Sequence, residues 1–216
     1  MKKGSVYVSK NAEISPPSFV DKLKIRYRPI ICPFDTLLSY AEGKKSVFDI
    51  GCGSGQFCAL VAKATAAEKI MGIEINPRLV QNAGRLNLEF KKNKTLIFKL
   101  FNGRILPEEI SAYEIVYMID VFHHIPPAQQ TAFMKELLQK MKPGATLVFK
   151  DINAGSPLVL FNKIHDLVFS GESGNEITKL NAIKLLGNIG FDVHASLTKT
   201  RFFYPHYFII CSKPAV

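Results

Sequence analysis

An α/β fold, with a doubly wound and mostly parallel seven-stranded sheet and helices on both faces, is predicted by three observations. Short apolar runs alternate with amphipathic stretches between residues 46 and 150. The first run leads directly into a bend with glycines at alternate positions, Gly51, Gly53 and Gly55. The last two strand-like runs stand too close together for a helical crossover, so they close the sheet as a C-terminal antiparallel hairpin.

The strands are expected at 46–50 (SVFDI), 69–74 (KIMGIE), 95–101 (TLIFKLF), 113–119 (YEIVYMI) and 145–150 (ATLVFK). Each is apolar almost throughout, as befits strands covered on both faces. Between the first two, 55–66 (GQFCALVAKATA) reads as a helix; a second begins at NPRLV, with Pro77 in its first turn. A third, over 127–141, sets Phe133, Leu137, Leu138 and Met141 on one face. Lys140 and Lys142 offset its dipole, and the KPG triplet stops it. After an amphipathic helix in ITKLNAIKLLGNIGF come DVHASLTKT and RFFYPHYFIICSK, the two arms of the hairpin.

Composition limits the function classes. The chain has 216 residues, 47% hydrophobic and 21% charged, which is ordinary for a globular protein. Its apolar runs are far shorter than the ~20 residues of a membrane span. The basic N-terminus is followed by no apolar segment, so no signal peptide is expected. The cysteines (Cys32, Cys52, Cys58, Cys211) form no CxxC pair, which suits free thiols and a cytoplasmic location. The net charge is +10, with seven Lys or Arg in residues 1–28 against Glu13 and Asp21. That imbalance favours anionic partners, including peripheral contact with anionic surfaces, yet no RNA-binding signature accompanies it.

The glycine bend narrows the ligand. A dinucleotide fingerprint needs G-x-G-x-x-G, and Gln56 stands where the third glycine belongs; no Gly-Lys-Ser/Thr follows for a phosphate loop. The bend is instead flanked by acids: Asp49 before it and Glu74 at the end of the next strand. A carboxylate at that second position can accept both hydroxyls of a ribose. Two acids repel a pyrophosphate and welcome a cationic nucleoside.

In these motifs and their order the sequence resembles the class I S-adenosylmethionine-dependent methyltransferases, over roughly residues 40 to 213. VFDIGCGSG resembles the family's first motif, and GIEINPRLV its second-strand acid and following helix. YEIVYMIDVFHHI, LLQKMKPGATLVFKD, LLGNIGF and YPHYFIICSK are similar to the later elements in turn. The resemblance implies a Rossmann-like fold that binds S-adenosyl-L-methionine and releases S-adenosyl-L-homocysteine. It implies Asp49, Gly51, Cys52, Gly53 and Gly55 around the methionine moiety and Glu74 on the ribose. Adenine lies over Ile75, beside Asn102 and Gly103, with Asn102 where the family has an aspartate that reads the adenine amino group. Asp120 lines the cofactor pocket, and Glu114 replaces a usual aspartate. A single domain over 1–216 follows: a helical cover (1–40), a cofactor-binding half (41–152), a substrate-cover insertion (153–178), and a final helix and hairpin (179–216).

Methyl transfer from a sulfonium is an in-line displacement, which asks the protein mainly to position the acceptor and exclude water. Where the acceptor needs a base, His124, Asp151 and His165 are the candidates. His123 and His124 otherwise read as residues of a helix entry, one packed and one solvated. No acid cluster suggests a metal. The absence of NPPY after the fourth strand, and of a cysteine there, disfavours amide and cytosine-C5 methylation. The expected acceptor is a small organic or lipid-like molecule; the alternatives are an RNA or tRNA methyltransferase and a non-catalytic nucleoside-binding protein of the same fold.

Overall fold

The computed structural model describes residues 27–28, 30–86, 94–171 and 174–215. Seven strands form one sheet: β1 (Ser46–Ile50), β2 (Lys69–Glu74), β3 (Thr95–Leu100), β4 (Ile115–Ile119), β5 (Thr146–Ile152), β6 (Asp192–Arg201) and β7 (Tyr204–Ser212). Their order across the sheet is β3-β2-β1-β4-β5-β7-β6. The first five run parallel, while β7 is antiparallel to both β5 and β6. The doubly wound sheet and its terminal hairpin agree with the sequence expectation. Strand order reverses between β1 and β4, which opens a crevice beyond their carboxyl ends.

Among the described residues, these α-helices cover the sheet: α1 (Phe34–Ser39), α2 (Gln56–Ala64), α3 (Pro77–Leu86), α4 (Pro127–Lys140), α5 (Val159–Ser170) and α6 (Lys179–Ile189). Alternation along the strands divides the core in two. Phe48, Ile50, Met118 and Phe149 pack with Phe133 and Leu137 of α4 and Leu186 of α6. On the other face Val47, Tyr117 and Val148 meet Leu37 of α1 and Val61 of α2. Local chemistry sets the helix ends. Pro127 opens α4, Thr178 Oγ1 accepts the Asn181 N–H at 3.2 Å to cap α6, and Gly190 ends α6.

Among the strands, two boundaries shift by two residues from the sequence expectation. β4 begins at Ile115 and not 113, because Glu114 is engaged sideways: its carboxylate accepts the N–H groups of Lys45 (2.6 Å) and Ser46 (3.4 Å). β5 runs on to Ile152, where Asp151 and Ile152 pair with Tyr207 and His206 of β7. Of the expected N-terminal cover, residues 1–26 lie outside the described residues; α1 is its one complete described helix.

Candidate cofactor and acceptor site

The bend after β1 is drawn onto β2 by its backbone. Gly51 and Cys52 both donate to the Ile73 carbonyl, at 2.8 and 3.0 Å. Gly51 has φ +71°, and a Cβ there would lie 2.3 Å from Val121 Cγ2, so neither the conformation nor the space admits a side chain. Glu74, 8% exposed, joins the bend to the entry of α3. Its Oε2 accepts the Gly53 N–H at 3.0 Å and its Oε1 the Asn76 N–H at 2.9 Å. Each oxygen retains capacity for a further donor, so both hydroxyls of a ribose can be accepted there.

Asp49 shares the α2 face of β1 with Val47 and is buried; its Oδ2 accepts the Cys58 thiol at 3.4 Å. Burial pushes its carboxyl up to about 7, against the opposing Arg28 charge and the Cys58 hydrogen bond. The sequence reading treats Asp49 as a fixed anion. The structure instead makes it a carboxyl evenly divided between its two forms near neutrality, since an acid without water loses much of the stabilisation of its charge. Arg28 Nη1 stands 3.2 Å from where a Cβ on Gly53 would be, which places a cation over the bend. No sequence motif marked Arg28, because it precedes α1 and reaches the bend only through tertiary folding.

The remaining expected cofactor residues fall into three groups. Gly55, at φ +74°, starts α2. Ile75 is 63% exposed at the end of β2, and a Cβ on Gly103 would be 3.9 Å from it, so the loop after β3 does adjoin the expected adenine platform. Asn102 and Cys52 are differently employed. The Asn102 side-chain carbonyl accepts the N–H groups of Arg104 (2.8 Å) and Ile105 (3.0 Å), a turn-forming role that competes with reading an amino group. The Cys52 thiol is turned onto β2, where a Cβ on Gly72 would meet Sγ at 2.6 Å, so that thiol is packed against the neighbouring strand.

Asp120 ends β4 with φ +55°, a conformation unusual for a non-glycine residue and common at functional sites. Its carboxylate accepts the ammonium of Lys150, whose side chain is fully buried. Burial would raise the Asp120 pKa, but the charges of Lys150, His206 and Arg28 outweigh it and hold it at about 2. His206 lies nearby, its Nε2 bonded to the Ile31 carbonyl at 2.8 Å; burial, then the Lys150 charge, lowers it to about 3. The sequence reading singled out neither Lys150 nor its pairing with Asp120.

At the β5 end the site takes a different form. Asp151 was expected on an open rim, in reach of an acceptor. It is 1% exposed and accepts the His123 N–H (3.1 Å), the His123 ring Nδ1 and the Ile152 N–H (2.7 Å). The extension of β5 along β7 draws it inside. His123, buried, is therefore the residue that Asp151 serves, and its Nε2 lies 3.5 Å from Asp166 Oδ2 on α5. Burial alone would lower the His123 pKa; Asp151 and Asp166 reverse that and raise it well above the usual range. His124 is exposed, its ring 4.1 Å from that of His123 at 49°. Desolvation, and then the His123 charge, lowers its pKa and favours the neutral form that can take up a proton. One histidine packed and one solvated matches the sequence reading of the pair. His165 lies on α5, with its side chain outside the described residues.

No metal was expected, yet folding brings His123, His124 and Asp166 together, with ligand atoms within 4.8 Å of one another. Nδ1 of His123 faces Asp151 and its Nε2 faces Asp166, so the ring ties β5 to α5. Asn162 extends this link, donating to Asp166 at 2.7 Å and to Glu176 at 2.9 Å.

Comparison with known proteins agrees with this architecture. The family described as "Methyltransferase domain" matches residues 24–196. The 2-methyl-6-phytyl-1,4-hydroquinone methyltransferase of Synechocystis is 31% identical over 108 residues, covering 50% of this chain and 32% of that protein. The tRNA U34 carboxymethyltransferase of Cellvibrio japonicus is 24% identical over 167 residues, 73% of this chain and 44% of that protein. The chain thus spans less than half the length of either relative. Among solved structures, the magnesium protoporphyrin IX methyltransferase of Synechocystis with bound SAH superposes with a TM-score of 0.69 at 20% identity, over 92% of this chain and 89% of that one.

Proposed function

Because this chain belongs to the methyltransferase-domain family, we propose that it transfers the methyl group of S-adenosylmethionine to a small organic or lipid-like acceptor, leaving S-adenosylhomocysteine. The observation that carries the reading is the Glu74 carboxylate, held by Gly53 and Asn76 at the mouth of a glycine bend that has Gln56 where a dinucleotide fingerprint needs its third glycine. The donor set fits the cofactor. Glu74 would accept the ribose hydroxyls, Ile75 would offer an apolar face to adenine, Arg28 would answer the methionine carboxylate, and Asp49 and Asp120 would balance the ammonium and sulfonium charges.

When bound, S-adenosylmethionine supplies a methyl already activated by its sulfonium. The chain's own residues position and shield. Asp120, fixed as an anion by Lys150, holds positive charge at the end of β4. Asp151 and Asp166 orient His123, which abuts His124. Neutral His124 would take up the proton of an acceptor hydroxyl. An acceptor with a free lone pair needs no such step. Asp151 then acts by positioning, through His123. The four cysteines are free and buried, which suits a reducing cytoplasm.

Thermal shift separates this reading from its competitors, since a ligand that binds only the folded state raises apparent stability. S-adenosylmethionine and S-adenosylhomocysteine are expected to raise Tm by several degrees, and NAD to leave it unchanged. Stabilisation by NAD alone would overturn the reading. A tRNA acceptor is the second reading, supported by the +10 charge and by the relative from Cellvibrio. It requires tRNA affinity that falls steeply with salt.

A further inference from the structure

Helix α5 is amphipathic the wrong way round for a helix that packs on a core. Among its described side chains the buried ones are polar: Asn162 is 5% exposed and Asp166 6%, both within the link to His123 and Glu176. Its apolar side chains face outward: Leu160 (60% exposed), Phe161 (46%), Ile164 (52%), Leu167 (60%) and Val168 (69%). Their spacing of i, i+1, i+4, i+7 and i+8 forms one continuous stripe.

The patch continues onto a second element. The β6–β7 turn consists of Phe202 and Phe203, which are 67% and 56% exposed. Two-residue hairpin turns favour Gly, Asn or Asp, because they require positive φ. Here Phe202 itself adopts φ +51°, a strained conformation for a bulky side chain, and the turn presents two aromatic rings to solvent. Phe203 stacks on Phe161 of α5 at 4.8 Å and 24°, which joins stripe and turn into one surface. A contiguous apolar surface of this kind marks an interaction site.

We propose that α5 and the β6–β7 turn lie together in the headgroup–acyl boundary of a lipid bilayer that carries anionic lipid. Charge selects this occupant. Lys163 on α5 and Lys199 and Arg201 beside the turn border the surface. Among the described residues, the acids paired with them are Glu176, fully buried, and Asp35. A second copy of the chain would set one molecule of net charge +10 against another. Residues 1–26 carry six Lys or Arg against two acids, and they too are repelled by a cationic border. An anionic bilayer accepts the apolar stripe and the cations together, the pattern of interfacial helices. The placement does not depend on methyl transfer. It adds to the proposed function a route by which a membrane-dissolved acceptor reaches His124 past the inner, polar face of α5.

Flotation of the full chain with vesicles tests this. Vesicles of phosphatidylcholine mixed with an equal amount of phosphatidylglycerol are expected to carry the protein upward, and vesicles of phosphatidylcholine alone to carry markedly less. The double substitution Leu167→Glu/Val168→Glu is expected to cut binding at least about tenfold, since each buried apolar side chain contributes about 1.5 kcal/mol or more. Phe202→Ser, on a different element, should weaken it in the same direction. For each variant, the Tm shift with S-adenosylmethionine reports that the cofactor end still folds and binds, so failure of the surface and failure of the enzyme reading are told apart. A wild-type protein that stays in the aqueous phase with both vesicle types overturns the proposal. So do variants that float as well as the wild type, and a concentration-dependent dimer in sedimentation velocity that these substitutions dissolve.

Discussion

At the β2 end of the ligand crevice, Glu74 is held by two backbone N–H groups, of Gly53 in the glycine bend and of Asn76 at the entry of α3; at the β5 end, Asp151 is held by the ring of His123, which in turn reaches Asp166 on α5. The first arrangement draws its donors from the backbone, so it survives changes in neighbouring side chains. The second crosses three segments and depends on charge, so one substitution breaks it. The contrast suits the two tasks assigned here. In the proposed function the first end holds the cofactor in a preformed cradle, and the second positions His124 through His123.

The largest expected effect lies at the β5 end. His123→Ala leaves Asp151, at 1% exposure, without its ring partner. Removal of one member of a buried ion pair costs about 3–5 kcal/mol, so Tm should fall well below that of the wild type. His123→Asn, which can still donate one hydrogen bond, should recover part of the loss. The pH dependence has a definite sign. A histidine raised on folding stabilises fully below its unfolded value of about 6.5, and that contribution disappears as pH climbs through the raised folded value. The wild type should therefore lose this increment on the alkaline side of about 6.5, and His123→Ala should not. Identical pH profiles of stability would remove the ionic link from the account.

The cofactor end should show a smaller, more specific change. Glu74→Ala removes the acceptor for two ribose hydroxyls and frees the Gly53 and Asn76 N–H groups. Hydrogen bonds to a charged group contribute about 1.5–3 kcal/mol each, so affinity for S-adenosylhomocysteine should fall at least about a hundredfold by calorimetry. A loss of less than threefold would take the ribose away from Glu74.

These two ends were unequally legible in the sequence. The glycine bend, Asp49 and Glu74 sit within 26 residues, and their spacing alone excluded a dinucleotide loop. The strand alternation likewise gave the sheet, because buried strands must be apolar and their crossovers must be helical. What the sequence could not give was any pairing across folded segments. His123 and Asp166 are 43 positions apart, Lys150 and Asp120 30 apart, and Arg28 meets the bend from outside every motif. Asp151 was placed correctly in order but on the wrong side of the surface, since its burial follows from how far β5 pairs with β7. The outward stripe of α5 was visible as an apolar run, but periodicity states that a stripe exists and not which way it faces.

The smallest predicted effect concerns Asp49, the one cofactor residue whose charge the two readings treat differently. With its carboxyl at about 7, roughly one molecule in ten carries the anion at pH 6 and nine in ten at pH 8. If the ionised form is the one that receives a sulfonium, apparent affinity scales with that fraction and should improve about tenfold from pH 6 to pH 8. S-adenosylhomocysteine lacks the sulfonium charge and should respond less over the same interval. Asp49→Asn fixes the group neutral, and should flatten the dependence while holding affinity for the methyl donor near the wild-type value at pH 6. Titration calorimetry with both ligands across this range decides the matter. Parallel pH profiles for the two would mean that the acid buried behind the bend answers to Arg28 and Cys58 alone, and that selectivity for the charged donor resides at Glu74 and Asp120.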